Sequence, residues 1–310
     1  MSIYKEWFIQ VLVVVDWITV FVGVVGNVLT LIALLNYEAI RNPIMKALFV
    51  SLTISDLGVL LMRHTFHSIQ LYNEGRWIFG ELACKIIPPV SRTFLTVAVL
   101  TLVVISYRRY KCVISVFDSE PSTRKTLVTI SLIWCTVFTL YFFLDFPLRK
   151  LDETTGRCTY RDSGINYSVF AIVEKALYAL SIACIVWMCQ KMRRALKGSL
   201  RVQERSSVGR KLSLSAQMLK ILRPTVVVLL ITLPPAWILH TFAILGGKRW
   251  NLGHIERYTI YHFVGILMVF NSASNPFIYV IMSRGFAISF KKIVRSFCLT
   301  LKFWTANSAF

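Results

Sequence analysis

The stretch Asn271-Ser272-Ala273-Ser274-Asn275-Pro276-Phe277-Ile278-Tyr279 decides how this chain is read. It lies inside the last of several long apolar runs, where polar side chains and a proline do not collect for packing alone. In hydrocarbon each unsatisfied polar group costs several kcal/mol, and a proline frees the carbonyl one turn earlier. Both survive only against neighbouring helices or bound water. Residues 271–279 therefore mark a working interior rather than a lipid-facing wall.

Outward from this patch the chain is uniformly greasy. Its 310 residues are 56% hydrophobic, with a mean hydropathy of +0.62, too apolar for a water-soluble domain of this length. At about 20 apolar residues per crossing, spans fall near 9–35, 45–71, 83–107, 125–147, 167–190, 218–245 and 258–282. The expected fold is an all-α membrane protein, a single bundle of seven helices with no internal repeat and no second globular unit. Residues 1–8 precede the bundle. After Met282, Phe286, Phe290, Ile293, Val294 and Phe297 form one helical stripe opposite Lys291, Lys292 and Arg295, so 284–298 reads as an interfacial amphipathic helix with a tail at 299–310.

Orientation follows from the basic residues, because Lys and Arg resist translocation and acids count little. Segments 36–46, 108–125, 191–223 and 283–310 hold 22 Lys and Arg against 4 acids, and the opposite segments hold 11 against 8. The basic side is read as cytoplasmic, which places the N-terminus outside the cell and the protein in the plasma membrane. The net charge of +20 then reflects topology and attraction to an anionic inner leaflet. Nucleic-acid binding is a poor reading, since the cations are divided among four loops. The first apolar run, with only Lys5 before it, is too long for a cleavable signal peptide.

Of seven cysteines, Cys84 at the head of the third span and Cys158 in the loop after the fourth both fall on the oxidising outer side. A disulfide between them would pin that loop to the third helix; the alternative is two free thiols. Cys298 ends the amphipathic helix and is either a palmitoylation site or a plain thiol. Asn166-Tyr167-Ser168 is a glycosylation sequon close to the fifth span.

Within the bundle, Asn27, Asp56 and the group Asn271, Ser272 and Asn275 fall at similar depth in three different spans. A carboxylate there must find a partner, take up a proton or bind a cation. Asp56 either holds a sodium ion through oxygen ligands and water or belongs to a hydrated packing network; no other cofactor is expected. From Cys84 to Arg109 the rise is about 38 Å at 1.5 Å per residue, which puts Arg109 at the inner mouth of the third helix.

These positions together resemble the rhodopsin-like, or class A, G-protein-coupled receptors over essentially the whole chain. The matching features are Gly26-Asn27, Leu52-x-x-x-Asp56, Cys84 with Arg108-Arg109-Tyr110, Trp134, Pro235, Asn275-Pro276-x-x-Tyr279 and the amphipathic eighth helix. Within the family, Trp77-x-x-Gly80-x-x-Ala-Cys84 and the short inner loops look like melatonin-receptor relatives and the moody and trapped-in-endoderm orphan receptors. The resemblance implies a ligand pocket open to the outside and a cytoplasmic cleft that opens when the sixth helix swings outward. A heterotrimeric G-protein then docks against Arg109, with Arg108, Tyr110 and Tyr279 beside it.

Departures from the family pattern are specific. Arg108 stands where an acid usually restrains the next arginine by a charge-assisted bond, and Ser215 stands near the glutamate of a cross-helix lock. Both imply a weakly restrained resting state and basal signalling. Leu233 replaces the family's switch tryptophan, with Trp237 one turn later, and Trp187 takes the place of a tyrosine that steadies the active arginine. These leave open altered coupling or a decoy that binds ligand without signalling.

For the ligand, Ser91 and Arg92 occupy the level at which amine receptors carry an aspartate, which speaks against a biogenic amine. The absence of lysine within the seventh span excludes a retinal Schiff base. Arg63, His64, His67, Arg92, His240 and His262 form a cationic or protonatable outer group, with Trp237 and Tyr261 as apolar walls. Arg92 either binds an anionic, lipid-like ligand through its fork of donors or pairs with Asp145 or Glu174. An enzyme is not expected: the sequence shows no metal-ligand spacing, nucleotide loop or nucleophile with a matching base. A channel or transporter is the remaining rival, but paired broken helices and repeats are missing from the sequence.

Overall fold

The computed structural model describes residues 3–37, 39–64, 66, 73, 76–114, 122–160, 165–199, 207–246 and 254–307. Seven of its helices are long and apolar enough to cross a bilayer. In order they are α1 (Ile3–Asn36), α2 (Pro43–Gly58), α3 (Gly80–Ile114), α4 (Thr123–Leu144), α5 (Ile165–Ser199), α6 (Ser207–Gly246) and α7 (His254–Met282), followed by α8 (Arg284–Asn307). Each expected span falls on one of these helices. The second departs in detail, because regular α-helix gives way to a π-helical stretch over Val59–His64. The amphipathic helix, expected over 284–298, continues to Asn307.

Local chemistry sets the helix starts. Asn42 caps α2, its Oδ1 accepting from the amides of Ile44 at 3.0 Å and Met45 at 3.1 Å, with Pro43 in the first turn where its missing N–H costs nothing. Ser122 caps α4 through the amide of Lys125 at 3.4 Å. Four proline sites interrupt the backbone ladders of the spanning helices: Pro88-Pro89 in α3, Pro224 and Pro234-Pro235 in α6, and Pro276 in α7. Each deprives a carbonyl one turn earlier of its partner, which makes these the places where a membrane helix bends.

The seven helices form one bundle, with α1 against α2, α7 and α8, and α4 packed on α2 and α3. The central strut is α3, which meets α2, α4, α5 and α6, while α4 turns most of its surface outward. Outward-facing residues such as Phe21, Phe143 and Ile281 are apolar and exposed, as hydrocarbon solvent requires. Small residues permit the closest approaches. A Cβ on Gly26 would sit 3.0 Å from the Pro276 ring, and one on Gly58 would overlap the ring of Phe94.

Between α4 and α5 lies a hairpin of β1 (Arg149–Asp152) and β2 (Arg157–Tyr160), paired antiparallel with Leu151 opposite Cys158. Its turn is fixed by Asp152, whose Oδ1 accepts from the Thr154 hydroxyl at 2.6 Å and its amide at 2.9 Å, and by Gly156 at φ 65°. The hydroxyl bond above all, then the amide bonds, hold the exposed Asp152 carboxyl below its ordinary range. This support is complete at neutral pH and is lost as pH falls through that lowered value. The hairpin is clamped to the bundle by the disulfide Cys84–Cys158, with Cα atoms 5.6 Å apart, and by the Trp77 amide donating to the Gly156 carbonyl at 2.8 Å.

Substituting Gly58→Val forces a branched side chain into the Phe94 ring at the α2–α3 contact. The expected cost is about 1–3 kcal/mol, read as a lower Tm of the purified chain; an unchanged Tm would contradict the close approach.

Candidate functional site

Three polar regions line the bundle axis, and the deepest is the expected mid-membrane constellation. Asn275 on α7 donates from Nδ2 to Asp56 Oδ2 on α2 at 2.7 Å. Asn27 on α1 donates from Nδ2 to the Gly23 carbonyl at 2.9 Å and to the Ser272 carbonyl at 3.1 Å. The Ser272 hydroxyl faces the same carboxylate. Asn271 is buried beside it, and its carbonyl accepts from Ser274 at 2.9 Å. Three helices are thus tied by side chains sealed from solvent. Among the described residues, Asn27 Oδ1 and Asp56 Oδ1 receive no donor in this network, leaving unsatisfied oxygens at one depth.

At the inner mouth, Arg109 on α3 is only 3% exposed, and its Nε donates to the thioether sulfur of Met45 on α2 at 3.2 Å. A thioether is a weak neutral acceptor, so this contact supplies far less restraint than a neighbouring carboxylate. Arg108 points elsewhere, and among the described residues its Nε has no acceptor. Tyr110 packs against Trp187 of α5, with ring centroids 5.3 Å apart. Tyr279 is buried between Phe49 and Phe286, each ring 5.2 Å from its own. Leu219, Ile221 and Leu222, on the inner half of α6, are also buried. Arg109 is thus covered, and α6 from Leu219 onward packs into the same core as Tyr279 and Ile105.

The outer region is built around Arg92 on α3. Its guanidinium donates to the Tyr160 hydroxyl of β2 at 2.7 Å and lies 3.9 Å from Asp145 and 3.8 Å from Glu174 of α5. Arg149 on β1 adds a second cation against Asp145 at 3.2 Å and also donates to Tyr160. Two arginines face two carboxylates, and Lys175 adds a third cation within electrostatic reach of Glu174 and Arg92. Ser91, one residue closer to Cys84, is buried without a partner for its hydroxyl among the described residues. Trp237 is buried on α6. The side chains of Arg63, His64, Asn166, Ser215, His240, Tyr261 and His262, and all of His67, lie outside the described residues. Cys298 is exposed on α8.

Sequence reading missed five contributors: Tyr141, Arg149, Tyr160, Thr96 and Met45. Tyr141 and Arg149 flank the anticipated Asp145 at intervals of four, a polar spacing from the end of α4 into β1 that the sequence alone makes visible. Tyr160 and Thr96 carry no local signal, because their partners are distant in sequence. Met45 reads as plain core.

The seven-helix bundle, the hairpin pinned to α3 and the arginine at the inner mouth define a class of membrane receptor. The family model described as 7 transmembrane receptor (rhodopsin family) matches residues 26–279, and the chain belongs to that family of G-protein-coupled receptors. It is 26% identical to human neuromedin-U receptor 2, an alignment spanning 94% of this chain and 73% of the relative. It is 24% identical to the allatostatin-A receptor of Bombyx mori, over 88% of this chain and 76% of that one. Similarity to Drosophila melanogaster protein trapped in endoderm-1 is 26%, over 91% of this chain and 76% of the relative.

Replacing Met45 by leucine keeps the apolar volume and removes one acceptor that Arg109 uses, the thioether sulfur. The expected loss of resting-state stabilisation is about 0.5–1 kcal/mol, or roughly a 2–5-fold rise in ligand-free G-protein activation. A nucleotide-exchange assay on membranes checks it, and activity equal to wild type would show that the sulfur contact restrains nothing.

Proposed function

We propose that this receptor sits in the plasma membrane with its N-terminus outside, takes a ligand beneath the β1–β2 hairpin, and passes the event along α3 to Arg109. One observation carries this reading. The outer charged cluster and the covered arginine are the two ends of a single buried helix, with the hairpin covalently tied to its outer turn at Cys84. The unequal division of basic residues supports the orientation. Opening the inner end of α6 would expose Arg109, Tyr110 and Tyr279 to a heterotrimeric G-protein.

The ligand is one that carries an anionic group and approaches from the outer side or the surrounding lipid. Arg92 is already balanced by Asp145 and Glu174, so an incoming carboxylate or phosphate gains its place by exchanging for one of these acids. Binding then changes a contact inside the bundle, as a signal requires. Two of the relatives are named as receptors for neuromedin-U and allatostatin-A, which supports an extracellular ligand.

The mid-membrane oxygens of Asp56, Asn27 and Ser272 suit a sodium ion, a hard cation that takes oxygen donors and water. These residues would hold it in the closed state. A higher Tm in sodium chloride than in choline chloride, lost in Asn27→Ala, is the expected result; equal Tm values in the two salts would remove the ion.

The function is tested by ligand-free G-protein activation in cells, across the main subtypes, at matched surface expression. Wild type is expected to activate one subtype, Arg109→Ala to abolish the signal, and Arg108→Asp to lower it by restoring an acidic restraint. Silence of all three chains would contradict basal coupling and favour a receptor that binds without signalling.

A further inference from the structure

Three hydroxyls from three helices meet just inward of Arg92. Thr96 Oγ1 on α3 lies 2.6 Å from the Tyr178 hydroxyl on α5 and 2.8 Å from the Tyr141 hydroxyl on α4. Tyr141 donates to Glu174 Oε1 at 2.7 Å. Each hydroxyl has one proton, and Tyr141 spends its own on the carboxylate, so Thr96 donates to Tyr141 and Tyr178 donates to Thr96. The direct Tyr141–Tyr178 separation, 3.4 Å, is the longest of the set. The result is one directed chain from Tyr178 through Thr96 and Tyr141 to Glu174, whose other oxygen faces Arg92 at 3.8 Å.

Tyr178 has a second role. Its ring lies almost parallel to the indole of Trp237 on α6, with centroids 5.0 Å apart and planes 14° from parallel, and both residues are buried. Trp237 follows Pro234-Pro235, which leave the carbonyls of Leu230 and Ile231 without their helical N–H partners. Trp237 is therefore the handle on the outer arm of a bent helix, and Tyr178 is what grips it.

We propose that Tyr178 is a positioning residue for activation, holding α6 through Trp237 in a register set by the Glu174 carboxylate. The inference rests on the receptor reading and names the contact that carries the outer event to α6. When Glu174 is drawn away from Tyr141, the hydroxyl chain loses its terminal acceptor, Tyr141 turns its proton back on Thr96, Thr96 turns its own on Tyr178, and Tyr178 is left as the unmatched donor. The phenol of Tyr178 then turns to find another acceptor, and the flat stack on Trp237 is lost. Buried polar chains of this kind hold one geometry when complete and rearrange when an end is removed.

The test uses the full chain in nanodiscs, with spin labels on the inner ends of α3 and α6, and needs no ligand. Tyr178→Phe keeps the ring and deletes only the hydroxyl; Glu174→Met keeps the length of the side chain and removes the acceptor that a glutamine carbonyl would preserve. Each is expected to widen the α3–α6 distance distribution, whereas in a Trp237→Phe background Glu174→Met should add nothing further. Tm shifts for Glu174→Met and Trp237→Phe are expected to depart from additivity by several degrees, which a merely structural pair of distant sites does not show. Additive Tm shifts with an unmoved α3–α6 distance would overturn the proposal. That outcome leaves the receptor reading intact, because ligand-free nucleotide exchange and its loss in Arg109→Ala are measured separately.

Discussion

The bond from Asn275 to Asp56, 2.7 Å long and sealed from solvent, is the constraint from which the bundle is best understood. A bilayer offers no water to a stranded carboxylate or amide, so each polar group placed at mid-membrane depth obliges a neighbouring helix to come within hydrogen-bond reach. Asp56 calls α7 to α2, and Asn27 calls α1 to the Ser272 carbonyl. Gly26 then lets α1 close on Pro276 without steric cost. Apolar burial alone would not choose this arrangement, since lipid tails satisfy an apolar helix face about as well as another helix does.

Around this axis the ends of α3 carry different chemistry. At the disulfide end, opposite charges are concentrated and paired: Arg92 and Arg149 against Asp145 and Glu174, with Lys175 nearby and the disulfide and the Tyr160 hydroxyl binding the hairpin to them. At the opposite end of α3, Arg109 is buried with its Nε on the Met45 sulfur, and the Nε of Arg108 has no acceptor among the described residues. The proline sites in α6 and α7 supply the places where the helices bend between these ends.

Much of this was legible in the sequence, because lipid imposes strong rules. Span number and the shared depth of Asn27, Asp56 and Asn275 follow from hydropathy and from the cost of polar groups in hydrocarbon, and the disulfide from the side of the membrane on which Cys84 and Cys158 fall. The inner helix, expected to stop at 298, runs to Asn307 because its amphipathic pattern persists without a breaker. The π-helical stretch at Val59–His64 within the second span was not legible, because it leaves composition unchanged. The hydroxyl chain was hidden because Thr96, Tyr141 and Tyr178 are ordinary residues whose meaning arises only from three helices converging. Met45 was hidden because a thioether reads as core until a guanidinium is seen against it.

The central claim is that the inner cleft is closed at rest and opens at α6 to admit a G-protein onto Arg109. The most direct measurement is the distance between labels on the inner ends of α3 and α6 in the reconstituted chain, before and after addition of a nucleotide-free heterotrimeric G-protein of the subtype that it activates. The account predicts a short distance that lengthens on addition for wild type and does not lengthen for Arg109→Ala. A distance that stays short in wild type, or that lengthens equally without Arg109, would contradict it.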